Sequence, residues 1–510
     1  MEAMNKEILA LETNNTWEVT ALPPGKRAIS CKCVYKLKLK DDGTIDRYKA
    51  RLDVKGYNQV EGVHYVDNFS PVVKAATVRL FLAFAAPRNW NLHLLDINNA
   101  FLHGHLDEEI YMHPPECYHV ESISFCQSSH DHCLFTRGSG TNFLALLVYV
   151  DDVLFTGSSL TLIIEVKAHL DKLFIIKDLG VAKYFLGLQI ARSPEGLSLT
   201  QTKYITVILV DTGLQMAKSP TSPLPQGVKF STDVHSPLLD PEPYRRLVGR
   251  LLYLGLTRSD IAHAVQQLSQ FLHHPCDTHW YAALHIVHYL KGTSHMGLFF
   301  PSSNSLALQA YCDADWTSCS NTRRSLTGFC IFLGGALVSW KTKKQAIVSR
   351  SSTEVEYRAM AATVCELHWL SYLVRDFQLC VPVPVPLFCD NKAALHIAAN
   401  SVFHERTKHI DIDCNVVRNQ YKSGLFLPSY VRSCDQLADL FTKNLSEPSF
   451  LRMLSKLDLF SLAPGPTCGE AVGLLTEEAT PEDVLQQQID HDEQIDDVLA
   501  NDTWRQFDVG

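Results

Sequence analysis

The stretch Phe143-Leu144-Ala145-Leu146-Leu147-Val148-Tyr149-Val150-Asp151-Asp152-Val153-Leu154-Phe155-Thr156 decides how the first half of this chain folds. Its first eight residues are the longest uninterrupted apolar run in the sequence, far short of the ~20 residues that cross a membrane. Rich in Leu and Val and alternating little, the stretch predicts a buried hairpin with Asp151 and Asp152 near its bend. Unpaired carboxylates are expensive to bury, so this pair requires a cation or a turn open to water. An apolar strand predicted over residues 92–97 carries Asp96 at its end, and Asp96 would complete a metal-holding set. Two metal ions about 3.5–4 Å apart on such acids align a 3′-hydroxyl with a nucleotide α-phosphate. By residue type alone, however, two Asp in a hairpin turn are more often ordinary turn chemistry.

Working outward, an entry helix is predicted over residues 4–11. A basic strand pair follows over residues 31–40 and 45–54, joined by the turn Asp41-Asp42-Gly43. A helix is expected over residues 77–86. The Pro- and Ser-dense stretch 219–243 reads as an exposed linker. Helices are expected from 244 to 291, closed by Gly292, and a second α/β unit from 306 to about 457. The long helix of that unit opens with the capping box Ser351-Ser352-Thr353-Glu354. Its apolar side recurs at Leu370, Leu373, Val374 and Phe377, the spacing of one helix face. Residues 381–386, alternating Val and Pro, predict a stiff connector into a strand over 387–389.

The chain has 510 residues, enough for several domains. With 46% hydrophobic and 20% charged residues it has the composition of a soluble globular protein with a real core. The N-terminus lacks the basic and apolar regions of a signal peptide, so an intracellular protein, cytoplasmic or nuclear, is expected. The fifteen cysteines include no CxxC pair and predict reduced thiols. Cys126, His130, His132 and Cys133 cluster locally, but no second ligand pair accompanies them, and a polar loop is the expectation. The net charge of −9 is concentrated: residues 463–510 hold twelve acids against the single Arg505. That block, about −11, reads as a disordered tail and leaves a body near +2. Residues 26–55 contain ten Lys or Arg and four Asp, and residues 316–353 contain no acid at all. Arg323, Arg324, Lys341, Lys343, Lys344 and Arg350 fall in that second stretch, and both stretches suit a phosphate backbone.

A second carboxylate constellation lies in the C-terminal unit. Asp313 ends a strand predicted over 306–312, Glu356 sits in the first turns of the capped helix, and Asp390 follows the strand 387–389. Asp439 falls in a helical segment over 436–443. Each acid alone is more often a cap or a surface charge.

The wording of the sequence decides between these readings. Arg47-Tyr48-Lys49-Ala50-Arg51-Leu52, Lys55-Gly56-Tyr57, Phe69-Ser70-Pro71-Val72-Val73-Lys74 and Leu95-Asp96-Ile97-Asn98-Asn99-Ala100-Phe101-Leu102-His103-Gly104 occur in this order. Tyr149-Val150-Asp151-Asp152, Asp178-Leu179-Gly180 and Tyr184-Phe185-Leu186-Gly187 follow. Together they closely resemble the reverse transcriptase of copia-type LTR retrotransposons. The resemblance implies that Asp96, Asp151 and Asp152 are metal-binding catalytic acids of a polymerase palm. It implies an aromatic gate at Phe101, whose ring would clash with a ribose 2′-hydroxyl, and triphosphate contacts at Arg51 and Lys55.

Cys312-Asp313-Ala314-Asp315-Trp316, Arg323-Arg324-Ser325, Ser339-Trp340-Lys341 and Ser351-Ser352-Thr353-Glu354-Val355-Glu356-Tyr357 resemble the RNase H domain of the same family. So do Cys389-Asp390-Asn391, Arg406-Thr407-Lys408-His409-Ile410 and Gln436-Leu437-Ala438-Asp439. The implied chemistry is two-metal hydrolysis of RNA in an RNA–DNA hybrid by Asp313, Glu356, Asp390 and Asp439, with Mg²⁺ or Mn²⁺. Asp315 is the alternative to Asp313, which is preferred because it directly follows the strand.

The implied architecture is α/β and α+β. Fingers and a ferredoxin-like palm of right-hand form take 1–218, a linker 219–243, a helical thumb or connection 244–300, and an RNase H-like domain 301–457. An acidic tail takes 458–510. The implied partners are an RNA template, a DNA primer, an RNA–DNA hybrid and deoxynucleoside triphosphates, with no membrane.

The chain also departs from the family. A few dozen residues normally lie between Val120 and Phe125, including the motif whose helix packs under the template–nucleotide pair. Their absence is expected to disable the polymerase. Leu224-Pro225-Gln226-Gly227 spells a tetrad of that missing motif, but it stands after the Asp151–Asp152 hairpin, so motif order rules it out. Cys33, Asp53 and Asn415 replace a usual Trp, an apolar residue and a His. The starting point inside the polymerase region predicts no capsid-like, protease or integrase part.

Overall fold

The computed structural model describes residues 31–39, 45–54, 73–97, 125–173, 176–216, 218–225, 227–228, 230, 236–319, 321–379, 382–399, 410–457 and 459–461. The predicted basic strand pair is present as β1 (Cys31–Leu39) and β2 (Ile45–Val54), an antiparallel ladder running from Cys31↔Val54 to Leu39↔Ile45.

Helix α1 (Ala75–Ala85) is buried along nearly its whole length, as an apolar helix without a polar face must be. It leads into β3 (Asn91–Ile97), β4 (Cys126–Gln127), β5 (Leu134–Arg137), β6 (Leu144–Tyr149), β7 (Asp152–Gly157), α2 (Leu160–Leu173) and β8 (Ile176–Val181). These strands form one sheet in the order β4-β5-β6-β7-β3-β8. The predicted hairpin is β6–β7, and Val150 and Asp151 are its turn. Val150 has φ +50°, a region that β-branched residues avoid and that stores strain.

A second sheet gathers β9 (Tyr184–Phe185), β10 (Leu188–Ser193), β11 (Gly196–Thr200), β12 (Met296–Pro301) and the last described strand, Leu459–Ser461, which pairs with β12. Between β11 and β12 lie α3 (Thr202–Asp211), α4 (Glu242–Leu254), α5 (Ala262–Ser269) and α6 (Asp277–Gly292). The stretch expected as an exposed linker differs in part from that expectation. Pro223 and Leu224 are buried, Asn444 donates to the Pro225 carbonyl at 3.0 Å, and α4 already begins at Glu242. Apolar residues between prolines pack wherever a neighbouring helix offers a surface, which local composition does not reveal.

The third sheet runs β15-β14-β13-β16-β17. Strands β13 (Leu308–Asp315), β14 (Leu326–Leu333) and β15 (Ala336–Lys344) are an antiparallel meander, and β16 (Val385–Cys389) and β17 (Phe426–Tyr430) run parallel to β13. The crossover from β15 to β16 is α7 (Ser352–Asp376). Ser351 Oγ accepts from the Glu354 amide at 3.2 Å, as the capping motif predicts, while the Glu354 carboxylate accepts from the Arg350 amide at 2.9 Å. Leu370, Leu373, Val374 and Phe377 are all buried. Helices α8 (Lys392–Ala399) and α9 (Asp411–Lys422) lie between β16 and β17 in sequence. The segment carrying Asp439 is a 3₁₀ helix, Leu437–Phe441, followed by α10 (Glu447–Leu454).

One buried apolar cluster runs through the three larger sheets and the helices packed on them. Phe81 and Phe84 of α1 pack on Phe377, with ring centroids 6.1 and 4.8 Å apart. The Arg79 guanidinium lies 3.6 Å from the Trp340 ring centroid and donates to the carbonyls of Leu256 (3.1 Å) and Val338 (3.2 Å).

Two candidate active sites

The first site is built by pairing. Asp96 of β3 is directly opposite Asp152 of β7, and Asp151 occupies the adjoining turn. The Ile97 amide donates to the Asp151 carbonyl at 2.8 Å, which holds the turn against the end of β3. Burial, then the charges of Asp96 and Asp151, push the Asp152 carboxyl up to about 7. Three acids crowded until one resists ionising form a donor set that a divalent cation fits, because the cation reverses that repulsion. Arg51 lies on β2 opposite Val34, with only its backbone described. Lys55 and Phe101 lie outside the described residues.

The second site brings together all four acids expected in the C-terminal unit. Asp313 is 1% exposed near the end of β13, Glu356 is 7% exposed on α7, and Asp439 is 8% exposed on the 3₁₀ helix. Asp390 follows β16, and its Oδ2 accepts from Ser433 Oγ at 2.7 Å. Gly328 opposes Asp313 across β13–β14. A Cβ there would stand 2.5 Å from Thr442 Cγ2 and 3.2 Å from the Ala438 carbonyl, so glycine lets the Asp439 segment reach the sheet.

Burial, then Asp313, Cys389 and Asp390, push Glu356 up to about 10. Burial and then Asp313 push Asp439 up to about 7, against the opposing pull of Lys443. Asp315 rises to about 6 through burial and Asp313, with Lys443 opposing. Asp313 touches the cluster directly: its carboxylate accepts from Thr442 Oγ1 and from Lys443 Nζ, the latter at 3.1 Å. Lys443 Nζ also donates to Asp439 Oδ1 at 2.6 Å. Burial alone would lower the Lys443 ammonium, but Asp313 and Asp439 outweigh it and raise it. These hard oxygen donors around one cationic side chain fit divalent ions such as Mg²⁺ or Mn²⁺.

Sequence reasoning missed Thr442, Lys443 and Cys389. Of these only Lys443 left a signal, standing four residues beyond Asp439, where a helical turn brings opposite charges together. The Cys126–Cys133 loop does something else. Ser128 Oγ donates to Asp376 at 2.6 Å, and His130 Nδ1 lies 3.2 Å from the same oxygen while its ring stacks on Tyr372. A cleft of about 440 Å³ beside β15 and α7 is lined in part by Lys341, Lys343, Lys344 and Arg358.

The family model described as reverse transcriptase (RNA-dependent DNA polymerase) matches residues 14–124 and 118–226. The retrovirus-related Pol polyprotein from transposon RE1 of Arabidopsis thaliana is 39% identical over 91% of this chain. A putative transposon Ty5-1 protein of Saccharomyces cerevisiae is 32% identical, over 54% of this chain and 100% of its own length. The chain belongs to the copia-type retrotransposon Pol family. It covers about a third of the RE1 polyprotein, 34%. The two family-model matches overlap over 118–124. Among solved structures, the N-terminal RNase H domain of a Mycobacterium tuberculosis protein, fused to maltose-binding protein, aligns over 30% of this chain and 98% of its own. Its identity is 11% and its TM-score 0.21, too low to argue from. No helix among the described residues is long and apolar enough to cross a membrane.

Proposed function

We propose that this retrotransposon Pol chain hydrolyses the RNA strand of RNA–DNA hybrids at the Asp313–Glu356–Asp390–Asp439 centre. The observation that carries this reading is the convergence of four acids from four separate elements on one point. Mg²⁺ or Mn²⁺ held there would supply the activation of water and the stabilisation of the leaving 3′-oxygen. The chain itself supplies the positioning. Thr442 and Lys443 fix the two oxygens of Asp313, Ser433 fixes Asp390, and α7 brings Glu356 within reach of Asp390. The basic residues of β15 and the loop before α7 suit the hybrid's phosphates.

Residues 1–218 correspond in this reading to fingers and palm, 244–300 to a thumb or connection, and 301–457 to the RNase H-like domain. The Asp96–Asp151–Asp152 set is the polymerase centre by descent, taking an RNA template, a DNA primer and deoxynucleoside triphosphates. A second reading, a relic without polymerisation, is favoured for that half by the family segment missing after Val120. The test is digestion of a labelled hybrid with Mg²⁺ by the parent chain, Asp313→Asn and Asp315→Asn. Losing a metal-holding acid removes several kcal/mol of transition-state stabilisation, so Asp313→Asn should cleave at least about 100-fold more slowly. Asp315→Asn should lose much less. No cleavage by a folded parent chain would extend the relic reading to the whole protein.

A further inference from the structure

Cys389 is the last residue of β16 and is fully buried. Its Sγ lies 3.9 Å from Glu356 Oε2, and the candidate ligand atoms of Glu356, Cys389 and Asp390 all lie within 4.8 Å of one another. Two further observations bear on this thiol. Cys312, one step along β13 from its register with β16, is itself fully buried, and its thiol donates to the carbonyl of Phe388, the residue before Cys389, at 3.7 Å. Among the described residues, Glu356 has the Cys389 thiol as its one hydrogen-bonding partner, although it is 7% exposed. A buried carboxylate whose partner is a weak sulfur donor is a group built for something else.

The chemistry of the three donors separates two kinds of ion. Mg²⁺ and Mn²⁺ take oxygen and avoid sulfur, whereas a thiolate selects zinc-like ions. Zinc takes sulfur at about 2.3 Å and carboxylate oxygen at about 2.0–2.2 Å in a tetrahedron, of which these three donors would supply three corners and a water the fourth. We propose that Glu356, Cys389 and Asp390 form a zinc site inside the hydrolytic centre. Zinc there displaces the protons of the Cys389 thiol and the Glu356 carboxyl to water and occupies two acids that hydrolysis needs. It therefore acts as an inhibitor that a centre made of oxygens alone would bind less tightly. The inhibitory consequence rests on the hydrolysis proposed above; the ion site itself does not.

The experiment uses the full chain stripped of metals, beside Cys389→Ser, Cys389→Ala and the exposed-thiol control Cys365→Ser. Zinc is titrated calorimetrically in excess Mg²⁺, and cadmium by its thiolate charge-transfer absorbance. Hybrid cleavage is then followed against zinc, each protein referred to its own rate. The parent and Cys365→Ser should bind one zinc that both Cys389 variants lack or bind roughly tenfold or more weakly. The cadmium band at that site should vanish with Cys389, and cleavage by the Cys389 variants should need correspondingly more zinc to stop. Equal zinc affinity and equal cadmium absorbance in all four proteins would overturn the site, even where the parent cleaves the hybrid normally. The expected binding difference without any hybrid cleavage would leave the site standing and overturn the hydrolytic reading instead.

Discussion

Asp96 and Asp152 stand directly opposite each other across the antiparallel β3–β7 ladder, so two carboxylates occupy a cross-strand position where like charges repel. The fold tolerates this at the end of a strained turn, with Val150 at φ +50°. The cost has a pH signature. Asp152 is pushed from an ordinary 3.8 to about 7, so the folded chain holds a proton there that the unfolded chain has released. Stability from this group therefore falls as pH rises from about 4 to about 7 and then levels off. Asp152→Asn should remove that part of the pH dependence and stabilise the metal-free protein at pH 8 by about 1–3 kcal/mol. Urea denaturation in EDTA at pH 5 and pH 8 checks it. A parent and variant that differ equally at both pH values would refute the upward push that burial, Asp96 and Asp151 together exert on Asp152.

Lys443 carries the opposite relationship in the second centre, joining Asp313 at 3.1 Å and Asp439 at 2.6 Å. Removing one partner leaves buried acids facing each other without compensation. Because the lysine is 34% exposed, the expected loss for Lys443→Met without metal is only about 1–3 kcal/mol. Added Mg²⁺ should raise the melting temperature of the variant more than that of the parent, since the ion replaces the missing charge. Equal responses would mean that the lysine does not share the acids' electrostatic task.

What the sequence revealed and what it concealed divide by range. The β6–β7 hairpin, the Ser351 cap and the buried face at Leu370, Leu373, Val374 and Phe377 follow from patterns a few residues long, and they were legible. The positions of Asp96, Asp152 and Asp390 at or beside strand ends and of Glu356 in the capped helix were legible too, whereas Asp313 lies inside β13, which runs on to Asp315, and not after it as the sequence suggested. The spacing of Lys443 from Asp439 was visible, but its bond to Asp313 was not, because Asp313 is 130 residues away and only the folded chain brings them together. Arg79 is a similar case. One arginine in an otherwise apolar helix reads as an exposed side chain, yet its ring partner Trp340 and its acceptors Leu256 and Val338 come from two distant segments. Pro223 and Leu224 were hidden by a composition that marks linkers. The expected roles of Lys55 and Phe101 lie outside the described residues.

Arg79 also makes a prediction about how the first and last units hold together. Burial lowers its guanidinium to about 9, against the pull of Glu366, and it remains charged at neutral pH. Truncation to Ala strands one buried carbonyl acceptor, Val338, and one half-buried one, Leu256, and empties the face of Trp340. Each stranded acceptor costs about 1–3 kcal/mol, so Arg79→Ala should lose about 2–4 kcal/mol in denaturant. A loss below about 0.5 kcal/mol, the scale of a neutral surface change, would show that the contact contributes no stability.

The last prediction separates the two halves of the chain. Asp96, Asp151 and Asp152 are assembled around the β6–β7 turn, so in the proposed reading metal binding there does not depend on the family segment read as missing after Val120. Polymerisation does depend on it, because that segment's helix packs under the template–nucleotide pair in the family. Positioning of reactants is worth about 7–11 kcal/mol of a barrier, far more than three acids recover without it. Primer extension on an RNA template with deoxynucleoside triphosphates and Mg²⁺ should therefore be undetectable in the same preparation that cleaves the hybrid. Inserting the corresponding family segment between Val120 and Phe125 should restore extension, and that restored activity should be abolished by Asp151→Asn. Extension by the parent chain at a rate near that of the restored protein would show that the missing helix is dispensable, and would sink the reading of a disabled palm.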